Sequence, residues 1–307
     1  MQLTACITTF NRPEFLRESL GSLCNQTTNN FQILILDNGS DVKTENIILN
    51  YKKSNCNIIY KKHKPISISE QRNLALKIVK TEYLGFLDDD DFWDINKVQE
   101  FYSFLSEHKN QNIALWYSSF KFFSDFKKKR KFSRVISDPK STLRDLLLQK
   151  GDFTGSASNP IINVELARSI EGYDNNILTG EDYDFYLRLS EKNKFYFTNK
   201  PLTLIRQHQG SRLGGRLRDY IRTEIIIYRK FNGLFNDIDQ ILLRKIATKL
   251  IRINKPKKAR TIMNLKNLRF NQQYFINFIV YLLSYCEKKI YYFFHKNIIR
   301  ILKMLRR

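Results

Sequence analysis

Glu82 to Trp93 reads E-Y-L-G-F-L-D-D-D-D-F-W. An apolar run, Tyr83 to Leu87, ends in four consecutive carboxylates, Asp88 to Asp91. Adjacent aspartates repel one another and suit neither strand nor helix. A buried strand that stops in such a cluster delivers negative charge to a sheet edge, where a hard cation can hold it. Oxygen ligands of this kind suit Mg2+ or Mn2+, usually with a substrate phosphate completing the shell. The structural alternative is a solvated acidic turn, and the segments on either side have to decide between the two.

Those segments alternate between strand and helix patterns. Leu3–Thr9 and Phe31–Leu36 are apolar strands, Asn57–Tyr60 is a short one, and Tyr83–Leu87 is the fourth. Between them, Glu14–Asn25 opens with Pro13 at a helix start, a helical stretch runs to about Lys53, and Ser69–Val79 has helical spacing with Ser69 as its cap. This repetition predicts an α/β fold with a mostly parallel sheet and helices on both faces. Ligands in such sheets bind at the carboxyl ends of strands. Asp37, in the turn D-N-G-S, and Asp88–Asp91 both lie at such ends. Further on, Ile113–Phe123 is a strand, Lys127–Lys131 a solvated hairpin tip, Ser141–Gln149 and Val164–Ile170 short helices. Tyr183–Lys192 is a helix led by Glu181-Asp182, and Phe195–Phe197 and Leu202–Ile205 are two strands. From Gly214-Gly215 onward the periodicity is helical throughout.

The 307 residues allow one large domain or two ordinary ones. The net charge of +22 is uneven: residues 1–211 carry +4 and residues 212–307 carry +18. Two functional regions follow, 1–212 and 213–307. Cys6, Cys24, Cys56 and Cys286 show no C-x-x-C spacing, Cys6 reads as core, and the absence of a disulfide framework points to a reducing compartment. No signal peptide is evident. The longest nearly uncharged apolar stretch, Tyr274 to Cys286, has 13 residues, short of the ~20 a spanning helix needs.

Six separated motifs line up in one order: T-T-F-N-R-P after the first strand, D-N-G-S-D after the second, S-I-S-E-Q-R-N, F-L-D-D-D-D-F-W, G-E-D-Y-D-F-Y-L-R-L, and R-Q-H-Q-G-S. Together they resemble the family 2 inverting glycosyltransferases of the GT-A fold, over roughly residues 1–212. Three departures stand out. Ser67 and Gln71 occupy places where the family has Gly and Ala, and Asn38 replaces an Asp in the second-strand turn.

The resemblance implies a site. Asp90 is the direct metal ligand, Asp88 serves the ribose and the metal shell, and His208 reaches the metal or diphosphate. Thr8, Phe10 and Arg12 shape the nucleotide pocket, with Phe10 available to stack on a base. Asp37 bonds the base or ribose, which points to a UDP-sugar. Arg72 faces the pyrophosphate, Asp89 joins the donor site or the outer shell, and Trp93 packs near the donor sugar. Glu181-Asp182 is the catalytic pair, with Asp182 taking the acceptor hydroxyl proton in an inverting, in-line attack. Each also has a structural reading: Asp37 or Asp182 as a helix cap, Arg72 as a helix-surface ion pair, Phe10 as a buried loop aromatic, His208 as a structural histidine. Asp89 and Asp91 read equally as outer-shell residues or as surface charge, and the family pattern assigns Asp91 no role.

Lys288–Arg307 sorts on a helical wheel, with Ile290, Phe294, Ile298, Ile301, Leu302 and Leu305 on one face and Lys289, Lys296, Arg300, Lys303 and Arg307 on the other. A basic amphipathic helix reads as an element for an anionic membrane surface; the alternative is an all-helical region packing on the catalytic domain. The combined expectation is a hexosyltransferase dependent on Mn2+ or Mg2+. It extends a bacterial lipooligosaccharide, capsule or other surface glycan at the cytoplasmic face of the inner membrane. The rivals are a nucleotidyltransferase, opposed by the E-D and R-x-H elements, and a nucleic-acid-binding protein, opposed by the charge asymmetry and the aliphatic interleaving of the basic residues.

Overall fold

Leu3–Thr9 forms β1, buried at six of its seven positions, as a strand covered on both faces must be. In the computed structural model, β1 lies between β2 (Gln32–Asp37) and β4 (Tyr83–Asp88), parallel to both. β3 (Ile58–Lys62) extends the parallel set beyond β2. The structure describes residues 1–53, 56–109, 111–126, 129–135, 142–148, 153–207, 217–232, 246–247 and 250.

Beyond β4 the pairing changes. β8 (Ile161–Asn163) is antiparallel to β4 and to β6 (Leu115–Phe126). β6 is parallel to β9 (Phe195–Arg206), and β9 is antiparallel to the two-residue β5 (Phe92–Trp93). β7 (Lys129–Val135) folds back on β6 as a hairpin. The nine strands run β3-β2-β1-β4-β8-β6-β9-β5 with β7 off β6. The sheet is therefore mixed, parallel in its first half and interrupted where the three-residue β8 enters. The two strands expected at Phe195–Phe197 and Leu202–Ile205 are one strand, whose register shifts between Ser118 and Phe120 of β6.

The helices follow local chemistry. α1 (Pro13–Cys24) has Pro at its start, where the missing N–H costs nothing. α2 (Val42–Lys52) is capped by Asp41, which accepts from the Thr44 amide. α3 (Ile68–Ile78) is capped two residues earlier than expected. Ser67, not Ser69, is its cap, in a reciprocal capping box with Glu70 worth about 1 kcal/mol. Ser69 is buried and donates to the Ile177 carbonyl instead. α4 (Lys97–Glu107), β5, β7 and β8 are elements beyond those expected from the sequence, and Lys129–Lys131, expected in a hairpin tip, are paired in β7. α5 (Leu143–Leu148), α6 (Val164–Ser169) and α7 (Glu181–Ser190) complete the first compact unit, Met1–Arg212. The second unit, Leu213–Arg307, contains α8 (Leu217–Phe231). The amphipathic segment 288–307 lies outside the described residues. Among those described, no helix is long and apolar enough to cross a membrane.

Cys24, at the end of α1, and Cys56, just before β3, form a disulfide with their Cα atoms 5.8 Å apart. This corrects the reading of unpaired thiols and removes the basis for inferring a reducing compartment. Nothing in the cysteine spacing signals the bond, since its partners are 32 residues apart. Cys6 is wholly buried in β1, as its apolar surroundings suggested, and burial pushes its thiol up.

Candidate active site

Strand register assembles the site. Thr9 lies beside Asp37 and Thr8 beside Asp88, so the ends of β2, β1 and β4 are level. After Asp88 the chain makes a tight turn, closed by the Asp91 amide on the Asp88 carbonyl at 3.1 Å. β5 follows immediately.

The four aspartates take four different environments. Asp88 is the most open, with 38% of its side chain exposed and Arg72 Nη2 at 4.0 Å. Burial raises its pKa, Arg72 pulls it back, and Asp90 and Asp182 push it up again. Asp89 turns back to Thr9 Oγ1 and Arg12 Nη1, each at 2.8 Å. Burial lifts Asp89 to about 6 against the pull of Arg12. Asp90 receives Arg12 Nη1 at 3.0 Å. Asp91 is 3% exposed. Its Oδ2 accepts from Ser158 Oγ at 2.7 Å and Ser156 Oγ at 2.9 Å, and its Oδ1 accepts from the Arg206 amide at 2.8 Å. Burial, with Asp88 and Asp90 adding to it, brings Asp91 to about 7.

Neither Asp89 nor Asp91 is surface charge. Asp89 ties the turn to β1 through Thr9 and to the start of α1 through Arg12. Asp91 anchors the turn to the 156–158 loop and to β9. Asp88, Asp90 and Asp91 can each turn one oxygen to within 4.8 Å of the others, an all-oxygen donor set that fits Mg2+ or Mn2+. Asp91 already accepts from three donors.

Arg206 braces the turn from behind. Its Nε donates to the Asp90 carbonyl at 3.0 Å and its Nη2 to Glu18 at 2.7 Å, while its guanidinium sits over Phe15, Phe92 and Phe123. Lys97 anchors the serine loop. Its wholly buried Nζ donates to the Asn159 carbonyl at 2.7 Å and to Thr203 Oγ1 at 2.6 Å. Burial lowers its pKa well below the usual lysine value, with Asp94 opposing.

α7 brings the second acidic pair. Glu181 accepts from Arg72 Nη1 at 2.5 Å. Burial pushes Glu181 up and Arg72 draws it down. Arg72 itself is buried, which works against its charge, but Glu181, Tyr173, Asp88 and Asp182 more than offset this, so it stays charged. Its guanidinium lies over Phe86 and Tyr173. Arg72 is therefore no helix-surface ion pair: it bridges Glu181 toward Asp88. Asp182 is partly exposed, and its Oδ1 accepts from the Tyr183 amide at 2.8 Å. The N-cap position belongs to Gly180, so Asp182 is not the helix cap.

Other expected residues fall differently. Asp37 is 0% exposed, its Oδ1 taken by the Ser40 amide and its Oδ2 by Tyr60 Oη, both at 2.7 Å. In this structure it organises the turn rather than presenting a free edge to a base. Phe10 is 48% exposed at the end of β1, open for stacking rather than buried. Thr8 is half-buried beside Asp88. Trp93 is corrected outright: it is 2% exposed, its indole N–H donates to the Ser158 carbonyl at 2.8 Å, and its ring fills the space a Cβ at Gly85 would need. It supports the turn from inside the core. His208 lies outside the described residues.

The departures from the family pattern have local reasons. Ser67 caps α3. Asn38 bonds both backbone groups of Ile66, accepting from its amide at 2.9 Å and donating to its carbonyl at 3.1 Å. An aspartate could do only the first. Gln71 is 6% exposed with its Oε1 unpartnered. The sequence reading missed Tyr60, Ser156, Ser158 and Lys97. Only the small polar run S-A-S-N before Pro160 hinted at a shaped loop.

Residues 4–170 match the family described as glycosyl transferase family 2. An uncharacterized glycosyltransferase of Methanocaldococcus jannaschii is 27% identical over 61% of this chain, which spans 63% of that protein's length. The Escherichia coli UDP-Glc:α-D-GlcNAc-diphosphoundecaprenol β-1,3-glucosyltransferase WfaP is 27% identical over 72% of this chain and 83% of its own. Among solved structures, S. aureus TarS 1–349 in complex with UDP-GlcNAc superimposes with a TM-score of 0.67 at 15% identity, covering 97% of this chain and 92% of TarS. A Pyrobaculum calidifontis mannosyltransferase in complex with GDP-Man and Mn2+ gives 0.54 at 11% identity, covering 86% and 74%.

Proposed function

This chain belongs to glycosyl transferase family 2 and is a glycosyltransferase of the GT-A fold, and from that premise we propose a metal-dependent, inverting transfer of a sugar from a UDP-sugar to a lipid-linked or surface glycan. The observation that carries this reading is the convergence of Asp88–Asp91, at the end of β4, with Glu181-Asp182, at the start of α7, through Arg72. Family membership sets aside the nucleotidyltransferase and nucleic-acid-binding readings.

Asp88 and Asp90 would hold the divalent cation, with His208 as a further ligand. Bound there, the cation would neutralise the charge that develops on the departing diphosphate. Asp182 takes the proton from the acceptor hydroxyl, helped by its partial exposure at the mouth of the site. Glu181 does not share that role: it is committed to Arg72, which it keeps charged and aimed at Asp88. Phe10 offers a stacking face for the base, and Asp37, held by Tyr60, shapes the adjoining turn. The excess of basic residues in 212–307 and the amphipathic pattern of 288–307 support peripheral docking on an anionic membrane. The undecaprenyl-diphosphate acceptor in the name of the Escherichia coli relative supports a lipid-linked acceptor here.

Release of UDP from UDP-Glc, UDP-Gal, UDP-GlcNAc and UDP-GalNAc with and without Mn2+ tests the donor and the metal together. Asp90→Ala and Asp182→Asn should each abolish transfer, and only the first should weaken metal-dependent UDP binding. Full activity of Asp182→Asn would remove the base assignment.

A further inference from the structure

Three asparagines each use a side-chain amide as a substitute peptide group. Asn38 accepts from the Ile66 amide and donates to the Ile66 carbonyl. Asn73 accepts from the Tyr173 amide at 2.7 Å and donates to the Tyr173 carbonyl at 2.8 Å. Asn159 accepts from the Ser118 amide at 3.2 Å and donates to the Ser118 carbonyl at 2.7 Å. Each pair closes a two-bond bridge of the kind that joins strands, but between a side chain and the main chain. An ionised carboxylate cannot do this, because it has no donor beside its acceptors.

The first two bridges govern different sides of the site. Asn38 stands in the turn after β2, and its own amide is held by the Thr9 carbonyl at 2.9 Å. The Ile66 it grips belongs to the segment between β3 and the capping box of α3, and His63 at the head of that segment bonds the Asp37 carbonyl. Asn38 therefore fixes one wall of the space beside Asp37 and Phe10. Asn73, on α3, grips Tyr173 and also Asn175 Oδ1 at 3.0 Å, at the head of the segment that leads into Glu181-Asp182. Gly172, with φ of +66°, admits this grip, since a side chain there would run into the Asn73 amide oxygen. Ser69 holds the same segment further along, through the Ile177 carbonyl.

We propose that Asn38 and Asn73 are positioning residues with separate duties: Asn38 sets the nucleotide side of the site and Asn73 sets the segment that carries Asp182. The division of duties rests on the glycosyltransferase reading above. The bridges themselves do not.

Asn→Asp, assayed at a pH where the new carboxyl is ionised, is the sharp perturbation, because it keeps the shape and replaces the donor with a second acceptor facing a carbonyl. Losing one buried bond and opposing two oxygens predicts about a tenfold effect or more. Asn38→Asp should raise the UDP dissociation constant and the donor KM about tenfold, with kcat within about twofold. Asn73→Asp should lower kcat about tenfold, with UDP affinity within about twofold. Hydrogen exchange reads the bridges without turnover: Asn38→Asp should speed exchange in 63–67 alone, and Asn73→Asp in 173–182 alone. If an Asp variant does not fold by thermal melt, the Ala variant at that position should show the same split. Equal loss of kcat and UDP affinity in both variants, or no change in either with an active wild type, would overturn the proposal. A wild type that turns over no nucleotide sugar would remove the functional reading, while the exchange pattern would still decide the bridges.

Discussion

Lys97→Met tests whether the acidic turn depends on an anchor in the core. Lys97 Nζ is wholly buried over the Trp93 and Trp116 rings, and donates to the Asn159 carbonyl, Asn159 Oδ1 and Thr203 Oγ1. Two effects compete. Met relieves the desolvation of a buried ammonium, and replacing buried ion pairs with apolar residues is often neutral or stabilising. That rule holds when both partners are replaced. Here the acceptors remain: Asn159 Oδ1 keeps the Ser118 amide and hydroxyl, but the Asn159 carbonyl loses its donor. An orphaned buried acceptor costs about 1–3 kcal/mol, and the relieved desolvation counts against it, so a net loss of about 2 kcal/mol is expected. For a unit of this size that is a fall of roughly 4–8 °C in Tm. The pH dependence adds a second check. The folded pKa of Lys97 is below its unfolded value, so the unfolded state binds more protons and stability rises with pH until the unfolded lysine also deprotonates. Met does not titrate. The Tm gap between wild type and variant should therefore widen from pH 7 to pH 9.5 by calorimetry. A variant that melts at or above the wild type, or a gap that does not change with pH, would refute the reasoning.

Other outcomes follow from features outside the site. Cys24 and Cys56 should resist alkylation in the unfolded protein until reductant is added, and Cys56→Ala should lower stability by about 2–4 kcal/mol, read by urea denaturation; prompt alkylation without reductant would deny the bond. Deleting 288–307 should release the protein from anionic liposomes while leaving UDP-sugar hydrolysis intact, by flotation and UDP release; retained binding would make that segment purely structural. Arg206→Gln should weaken Mn2+ affinity about tenfold through a loosened turn, with smaller loss of metal-free UDP binding, by titration calorimetry.

The parallel half of the fold was legible because each buried strand is an unbroken apolar run ending in a turn signal. β5 and β8 were not, because two or three residues carry no period and exist only through their neighbours. α4 is different: Val98, Phe101, Tyr102 and Leu105 have helical spacing that could have been read. The acidic turn was legible as a site, and the separate tasks of its residues were not. Thr9, Ser156 with Ser158, and Arg206 come from three distant segments, and only folding decides which aspartate each one meets. Trp93 was misread for the same reason. Its place in a motif beside the aspartates says nothing of Gly85, whose missing side chain lets the ring turn inward.

The brevity of β5 constrains how this enzyme can change. Four residues after the end of β4 the chain is already in Phe92–Trp93, which pairs with β9 and lays Trp93 back over Gly85. The acidic turn is thus a short, closed span between two fixed strands. A residue added within it would shift Phe92 and Trp93 by one place and exchange their inward and outward faces, pulling Trp93 off Ser158 and Phe92 off Arg206. Variation here can proceed by substitution but not by insertion. New specificities within such a frame would have to arise in slack segments around the span.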